Sequence, residues 1–135
     1  MENERRGPGG EAVRGSSHYD IHTDVKYGPL ALVEAGRLAD ECTERWWNQP
    51  LCRVNACVTR LGVFEGEFHF HKHDREDEFF FVLEGRLLLD FEDKTAELCP
   101  RQGMLVPRGV VHRTRAPKRT VVLMIEADSV VPTGD

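Results

Sequence analysis

Short runs in which hydrophobic and polar residues alternate cover most of the chain from residue 51 onward. An alternation of period two predicts half-buried β-strands, and Gly, Pro and Asp clusters between the runs predict turns. The predicted strands are residues 51–61, 67–73, 78–83, 86–91, 95–98, 104–106, 110–114 and 120–127. Many short strands at regular spacing are typical of a sandwich or barrel, so we predict an all-β fold.

The chain before residue 51 has a different pattern. Residues 1–17 are polar and Gly-rich with almost no apolar anchor, which predicts a disordered, mobile tail. Residues 30–47 predict one helix, because four residues share a helical face: Leu32, Ala35, Leu38 and Ala39. The following stretch ends at Pro50, which disfavours a helix, and we expect a new element from Leu51.

Length and composition predict one ordinary globular domain, at residues 18–135. The net charge of -5, with no continuous basic stripe, argues against nucleic acid as a partner. No apolar run approaches 18 residues and no apolar segment precedes a cleavage site, so we expect a cytoplasmic protein that does not interact with membranes. The cysteines have no CxxC pair, and we interpret all four as free thiols: Cys42, Cys52, Cys57 and Cys99.

The strongest chemical signal is a group of histidines in the predicted strand 67–73. His69, His71 and His73 stand at alternate positions, so their side chains leave the same face of a regular strand. Glu78 then opens the next predicted strand. Imidazole and carboxylate groups on one face are ligands for divalent transition metals, and this pattern therefore indicates a metal site.

Two motifs resemble the cupin superfamily over residues 51–128. His71-Lys72-His73, four residues, Glu78, six residues and Gly85 match its first motif, and Pro107-x-Gly109, two residues and His112 match its second. The resemblance implies a jelly-roll β-barrel in one domain, with one divalent metal held by His71, His73, Glu78 and His112. The three-nitrogen, one-oxygen donor set is compatible with several metals; we expect zinc first, with Fe(II), manganese or nickel as alternatives.

The assignment of His112 rests on the motif alone, and catalytic residues stay unassigned. His69 shares the parity of the ligands and either lines the pocket behind them or lies at its rim. Five residues before the metal strand are candidates to close one end of the pocket: Trp46, Trp47, Asn48, Asn55 and Arg60. Arg60 either clamps a substrate carboxylate or is a solvated surface residue.

The resemblance implies a metal-dependent enzyme for a small polar metabolite, although this fold alone defines no reaction. The chain resembles bacterial single-domain cupins labelled mannose-6-phosphate-isomerase-like. It also resembles the zinc-binding cupin module of hydrazine synthetases, which implies nitrogen–nitrogen bond formation in natural-product biosynthesis and a separate synthetase-like partner. The alternatives are a non-catalytic, metal-anchored small-molecule binder and a sugar-isomerase or dioxygenase type of cupin.

A homodimer is expected as well. Phe79, Phe81 and Leu83 have the parity opposite to Glu78, so they lie on the outer face of their predicted strand. Outer aromatic faces are where cupin-like proteins tend to pair. The sequence thus predicts a dimer of small metal-binding barrels.

Overall fold

The computed structural model describes residues 19–135, and these form eight strands and one short helix. In chain order they are β1 (Asp20–Ile21), α1 (Ala35–Glu41), β2 (Trp46–Val54), β3 (Cys57–Glu67), β4 (Glu78–Glu84), β5 (Leu87–Asp90), β6 (Thr95–Leu98), β7 (Gly103–Val106) and β8 (Arg113–Ala127). The prediction of an all-β fold is confirmed. The predicted tail, residues 1–17, lies outside the described residues.

Strand β8 pairs with three other strands of the sheet. It pairs with β3 along its length, with β4 through its second half and with β5 through its first half. The strand order is β1-β2-β3-β8-β4-β7, and β5 and β6 branch from β8. Because one strand serves three neighbours, the sheet folds over on itself, and one face of β2, β3, β4 and β8 encloses the interior.

Two groups of apolar side chains pack on the two faces of this sheet. The interior group is rich in aromatic residues and includes Trp46, Phe64, Phe68 and Phe80. A second, smaller group lies on the outer face, where Ala39 of α1 packs against strands β2, β3 and β8. Only the first group surrounds the candidate metal ligands.

The prediction that a new element begins at Leu51 is wrong. Strand β2 already begins at Trp46 and runs through Pro50, where a bulge separates the pairs Pro50↔Arg60 and Cys52↔Thr59. A bulge tolerates a residue without an N–H group. The predicted strand 51–61 is in fact the hairpin of β2 and β3, which turns at Asn55 with a φ of 54°.

Nearer the end of the chain, two predicted strands form a single strand in the structure. The predicted strands 110–114 and 120–127 belong largely to one strand, β8, although the sequence places a turn at Pro117. The ladder passes from the pair Phe64↔Thr120 to the pair Gly66↔Ala116, so the extra residues form a bulge opposite Glu65. Long-range pairing with β3 keeps the strand continuous through this bulge.

The helix is much shorter than predicted. Helix α1 spans Ala35–Glu41, and Leu32 lies outside it with 76% of its surface exposed. Trp46 and Trp47, the last residues of the predicted helix, are paired with β3 instead. Tertiary pairing with a neighbouring strand outweighs the weak local helical pattern.

Candidate metal centre

Four predicted ligands from three separate segments converge in the interior. His71 and His73 lie in the loop after β3, Glu78 begins β4, and His112 immediately precedes β8. One ligand atom from each lies within 4.8 Å of the others, and the group can hold a metal ion. His71 is half-buried and the other three are buried. The structure therefore brings His112 to the residues that strand parity had grouped.

The loop is not the regular strand that the sequence predicts for residues 67–73. Strand β3 ends at Glu67, and beyond it only His71 forms a bridge with His112. The two residues exchange backbone hydrogen bonds of 2.9 Å in both directions. The Gly109 N–H also donates to the carbonyl of His73 at 2.8 Å, which ties the second motif's turn to the first motif.

Backbone carbonyls orient two of the imidazoles. Nδ1 of His71 bonds the His69 carbonyl at 3.1 Å, and Nδ1 of His112 bonds the Val110 carbonyl at 2.9 Å. These bonds place the proton on Nδ1 and leave Nε2 as the metal-binding nitrogen. Nε2 of His112 lies 3.2 Å from Oε1 of Glu78.

The third imidazole, His73, is buried without a hydrogen bond at either ring nitrogen from the described residues. Its Nε2 lies 3.4 Å from Oε1 of Glu78. A buried polar atom without a partner is costly and is commonly satisfied by a ligand. The donor set thus fits a cation between the three imidazoles and the carboxylate.

Electrostatics at the site favour a carboxylate and at least one neutral imidazole. Burial opposes ionisation of Glu78, but the hydrogen bond with His112 and the nearby His73 ring outweigh it and hold the pKa of Glu78 below its ordinary value. Burial lowers the pKa of His71 to about 4. Burial also acts to lower the pKa of His73, yet the adjacent Glu78 outweighs it and raises that pKa. The negative charge of Glu78 therefore attracts a cation or a proton.

A buried ion pair lies behind Glu78. Arg60 and Glu126 are both buried, and Nε of Arg60 donates to Oε2 of Glu126 at 2.6 Å. Glu126 stands opposite Glu78 in the ladder between β4 and β8. Burial and the charge of Glu78 raise the pKa of Glu126, against the lowering effect of Arg60. Arg60 is consequently neither a solvated surface residue nor free to clamp a substrate carboxylate.

A small cavity adjoins the ligands. Besides His71 and Glu78 it is lined by Trp46, Asn48, Phe64, Phe68, Phe80, Thr114, Met124 and Pro132. Trp47 and Asn55 are not among the lining residues. Trp47 packs against the outer cluster, and Asn55 is exposed in the β2–β3 turn. Trp46 and Asn48 lie at alternate positions of β2 and face inward, whereas Trp47 between them faces outward.

The segment 130–135 covers the ligand loop from outside. The His69 ring donates through Nε2 to the Thr133 carbonyl at 2.7 Å, which places His69 at the exposed rim rather than among the ligands. Asp135 donates its N–H to the Lys72 carbonyl at 3.0 Å, and Asp74 donates its N–H to the Asp135 carboxylate at 2.5 Å. This cover brings Pro132 into the cavity wall.

Sequence reasoning did not assign roles to Glu126 or Pro132. Glu126 interrupts the apolar run at the end of β8, and this charged residue at an inward-facing position was the available signal. No local signal marks Pro132, because its position depends on how the segment folds back.

The four cysteines are free, as predicted.

Among residues 19–135, no helix combines the length and the hydrophobicity needed to cross a lipid bilayer.

The chain is similar to known proteins over most of the region just described. The model of the cupin domain family matches residues 60–127. The uncharacterized protein YdbB of Bacillus subtilis (strain 168) is 48% identical over 90 residues, which are 66% of this chain and 80% of that protein.

Solved structures of other proteins have a similar fold. A cupin-2 domain containing protein from Shewanella frigidimarina NCIMB 400 is 27% identical with a TM-score of 0.68, over 71% of this chain and 94% of the other. Protein NMB1881 from Neisseria meningitidis has a TM-score of 0.65 at 21% identity, over 72% and 99% of the two chains, and supports the fold alone. With the family model covering half of the sequence and both motifs converging on one site, the chain belongs to the cupin family.

Proposed function

We propose that this cupin is a metal-dependent enzyme that binds one divalent ion through His71, His73, Glu78 and His112 and a small substrate in the adjoining cavity. The observation that carries the proposal is the convergence of these four side chains within 4.8 Å, directly beside a cavity that two of them line. The ion would act as a Lewis acid that polarises the substrate or as its anchor. The protein's own contribution is to orient the ligands and restrict water.

Zinc is the ion we propose first, with Fe(II), manganese or nickel as alternatives. Three imidazoles suit zinc, iron and nickel, whereas Glu78 also admits harder ions such as manganese. Four protein ligands leave a further position for substrate only if the ion accepts five or six ligands.

A non-catalytic binding protein with the same metal is the alternative, and turnover of a bound ligand would separate the two. Nitrogen–nitrogen bond formation with a synthetase-like partner stays a prediction from the resemblance, and a cytoplasmic location stays a prediction from the hydrophobic pattern of the sequence. Pairing of two copies through the outer face of β4 is part of the proposal, because Phe79 and Phe81 on that face are only half-buried. Light scattering would test it.

The decisive experiment is metal analysis of purified protein after dialysis against zinc. We expect about one equivalent per chain, and a His71→Ala variant should lose at least tenfold in zinc affinity because one of four ligands is gone. His22→Ala is the matched control, since His22 lies outside the four-ligand group and pairs with Asp20 at 3.2 Å. A wild-type protein that holds no zinc, iron, manganese or nickel would overturn the proposal.

A further inference from the structure

Asn48 is a buried amide with an unused hydrogen-bonding atom. It lies on β2, only 8% of its surface is exposed, and its Oδ1 has no hydrogen-bond partner among residues 19–135. Leaving a buried acceptor unsatisfied costs free energy, and native proteins seldom retain one without a reason. The position of this atom therefore calls for a ligand that donates a hydrogen bond.

The cavity around Asn48 joins this acceptor to the metal ligands. Asn48 lines the same space as His71 and Glu78. Thr114 is the other uncharged polar side chain in the wall, and the remaining lining residues are apolar. A ligand in this cavity thus meets the metal on one side and an amide oxygen on another. Sites of this kind use a few placed polar groups for specificity and apolar walls for affinity.

Flat aromatic surfaces form much of the wall. Trp46 stacks on Phe64 with ring centroids 4.3 Å apart and an interplanar angle of 16°. Trp46 is also nearly parallel to Phe68, at 5.5 Å and 18°. Because these rings pack closely on one another, they form a rigid wall that keeps the space narrow. The cavity is small for a ligand pocket, which favours a small, flat ligand over a bulky one.

We propose that Asn48 is a specificity-determining residue of the metal centre. It accepts a hydrogen bond from an N–H or O–H group of a small planar ligand that coordinates the ion through a different atom. This inference rests on the proposed metal function and deepens it, because it specifies the substrate class. A ligand that coordinates the metal equally well but lacks the donor binds more weakly, since Oδ1 of Asn48 then stays unsatisfied.

Imidazole and its methyl derivatives are suitable probes, because they are planar and coordinate metals through one nitrogen. Imidazole and 4-methylimidazole carry an N–H donor, whereas 1-methylimidazole has none, and the two methyl isomers have the same volume. Titration of the Co(II)-loaded protein, followed by visible absorption, should give about tenfold weaker binding for 1-methylimidazole than for the other two. Equal affinities for all three probes would overturn the inference.

Substitution of Asn48 isolates its contribution. Asn48→Leu removes the acceptor at nearly constant volume, and the preference for the N–H probes should fall to about twofold or less. Asn48→Ala serves the same purpose if the leucine variant does not fold. Asn55→Gly is the matched control, because Asn55 is an exposed asparagine in a turn with positive φ, and this variant should keep the tenfold preference.

The outcomes separate this inference from the metal function. A wild-type protein that binds no Co(II) would overturn both. Normal Co(II) binding with an unchanged probe preference in Asn48→Leu or Asn48→Ala would overturn only the role of Asn48. Weak binding of both methyl isomers would mean that cavity size, and not the donor, decides the preference, and this too would overturn the inference.

Discussion

Asp90 is a buried carboxylate at the end of β5 that holds an ionic network apart from the metal ligands. Only 6% of its surface is exposed. Arg115 donates to both of its oxygens at 2.8 Å, Arg113 donates to Oδ2 at 2.8 Å, and the Thr95 hydroxyl donates to Oδ1 at 2.7 Å. The hydrogen bonds from Arg115 outweigh burial and hold the pKa of Asp90 well below its ordinary value. Asp90 thereby joins β5, β6 and β8.

Removing this charge should destabilise the protein in a pH-dependent way. Because the pKa of Asp90 is lower in the folded state, its stabilisation is present above about pH 4 and is lost as the pH falls further. We expect Asp90→Asn to lower the free energy of unfolding by roughly 1–2 kcal/mol at pH 7. Urea denaturation at pH 7 and pH 3 measures this. A difference that does not shrink at pH 3 would contradict the assignment.

At the scale of elements, the segment 130–135 couples the last strand to the ligand loop. Gly134 makes the closest approach: its φ is +98°, and a Cβ atom there would lie 2.5 Å from Cβ of His71. Only glycine combines this backbone conformation with such proximity. The loop that carries His71 is therefore held between the His112 bridge on one side and this segment on the other.

A Gly134→Ala variant should loosen the cover over the site. We expect it to lower the free energy of unfolding by about 2 kcal/mol and to speed zinc removal by a chelator about tenfold, because the segment must shift away from His71. Gly36→Ala is the control: Gly36 lies in α1 with nothing within 4 Å of its added Cβ, and alanine favours helices. Unchanged zinc removal in Gly134→Ala would show that the segment does not cover the ion.

For the molecule as a whole, a metal would link three parts of the chain that are distant in sequence. His71 and His73 lie in the loop, Glu78 lies in β4 and His112 lies next to β8. The unfolded chain does not hold these groups together, so the bound ion favours the folded state. Metal binding and global stability are therefore coupled.

Zinc should raise the melting temperature by roughly 10 °C when its concentration is about 100 times the dissociation constant. The increase should fall as the pH drops below about 6, because protons compete for the imidazoles. The pKa of His73 is raised and that of His71 is lowered to about 4, so His73 is the first of the two to be protonated. Scanning calorimetry from pH 8 to pH 5 measures this. Mg²⁺ is the control, since it prefers oxygen ligands; equal stabilisation by Mg²⁺ would contradict the proposed site.

The sequence by itself determined the short strands and most of the metal site. Local alternation was enough for β6, whose predicted and observed bounds coincide, and it grouped His71 with His73. The motif spacing then identified Glu78 and His112. The bounds of β6 depend on neighbours a few residues apart, where side-chain direction follows from the backbone period. His71 and His73 lie close together although their segment is a loop and not the predicted strand.

Only the tertiary structure decided which residues complete the site. Trp46 and Asn48 face the cavity and Trp47 does not, because the pairing of β2 with β3 turns alternate residues of β2 to the interior. Arg60 meets Glu126 across 66 positions of sequence, and Pro132 reaches the wall because its segment folds back over the loop. Strand starts, bulges and such long-range contacts depend on the free energy of packing the whole sheet, which no local pattern encodes.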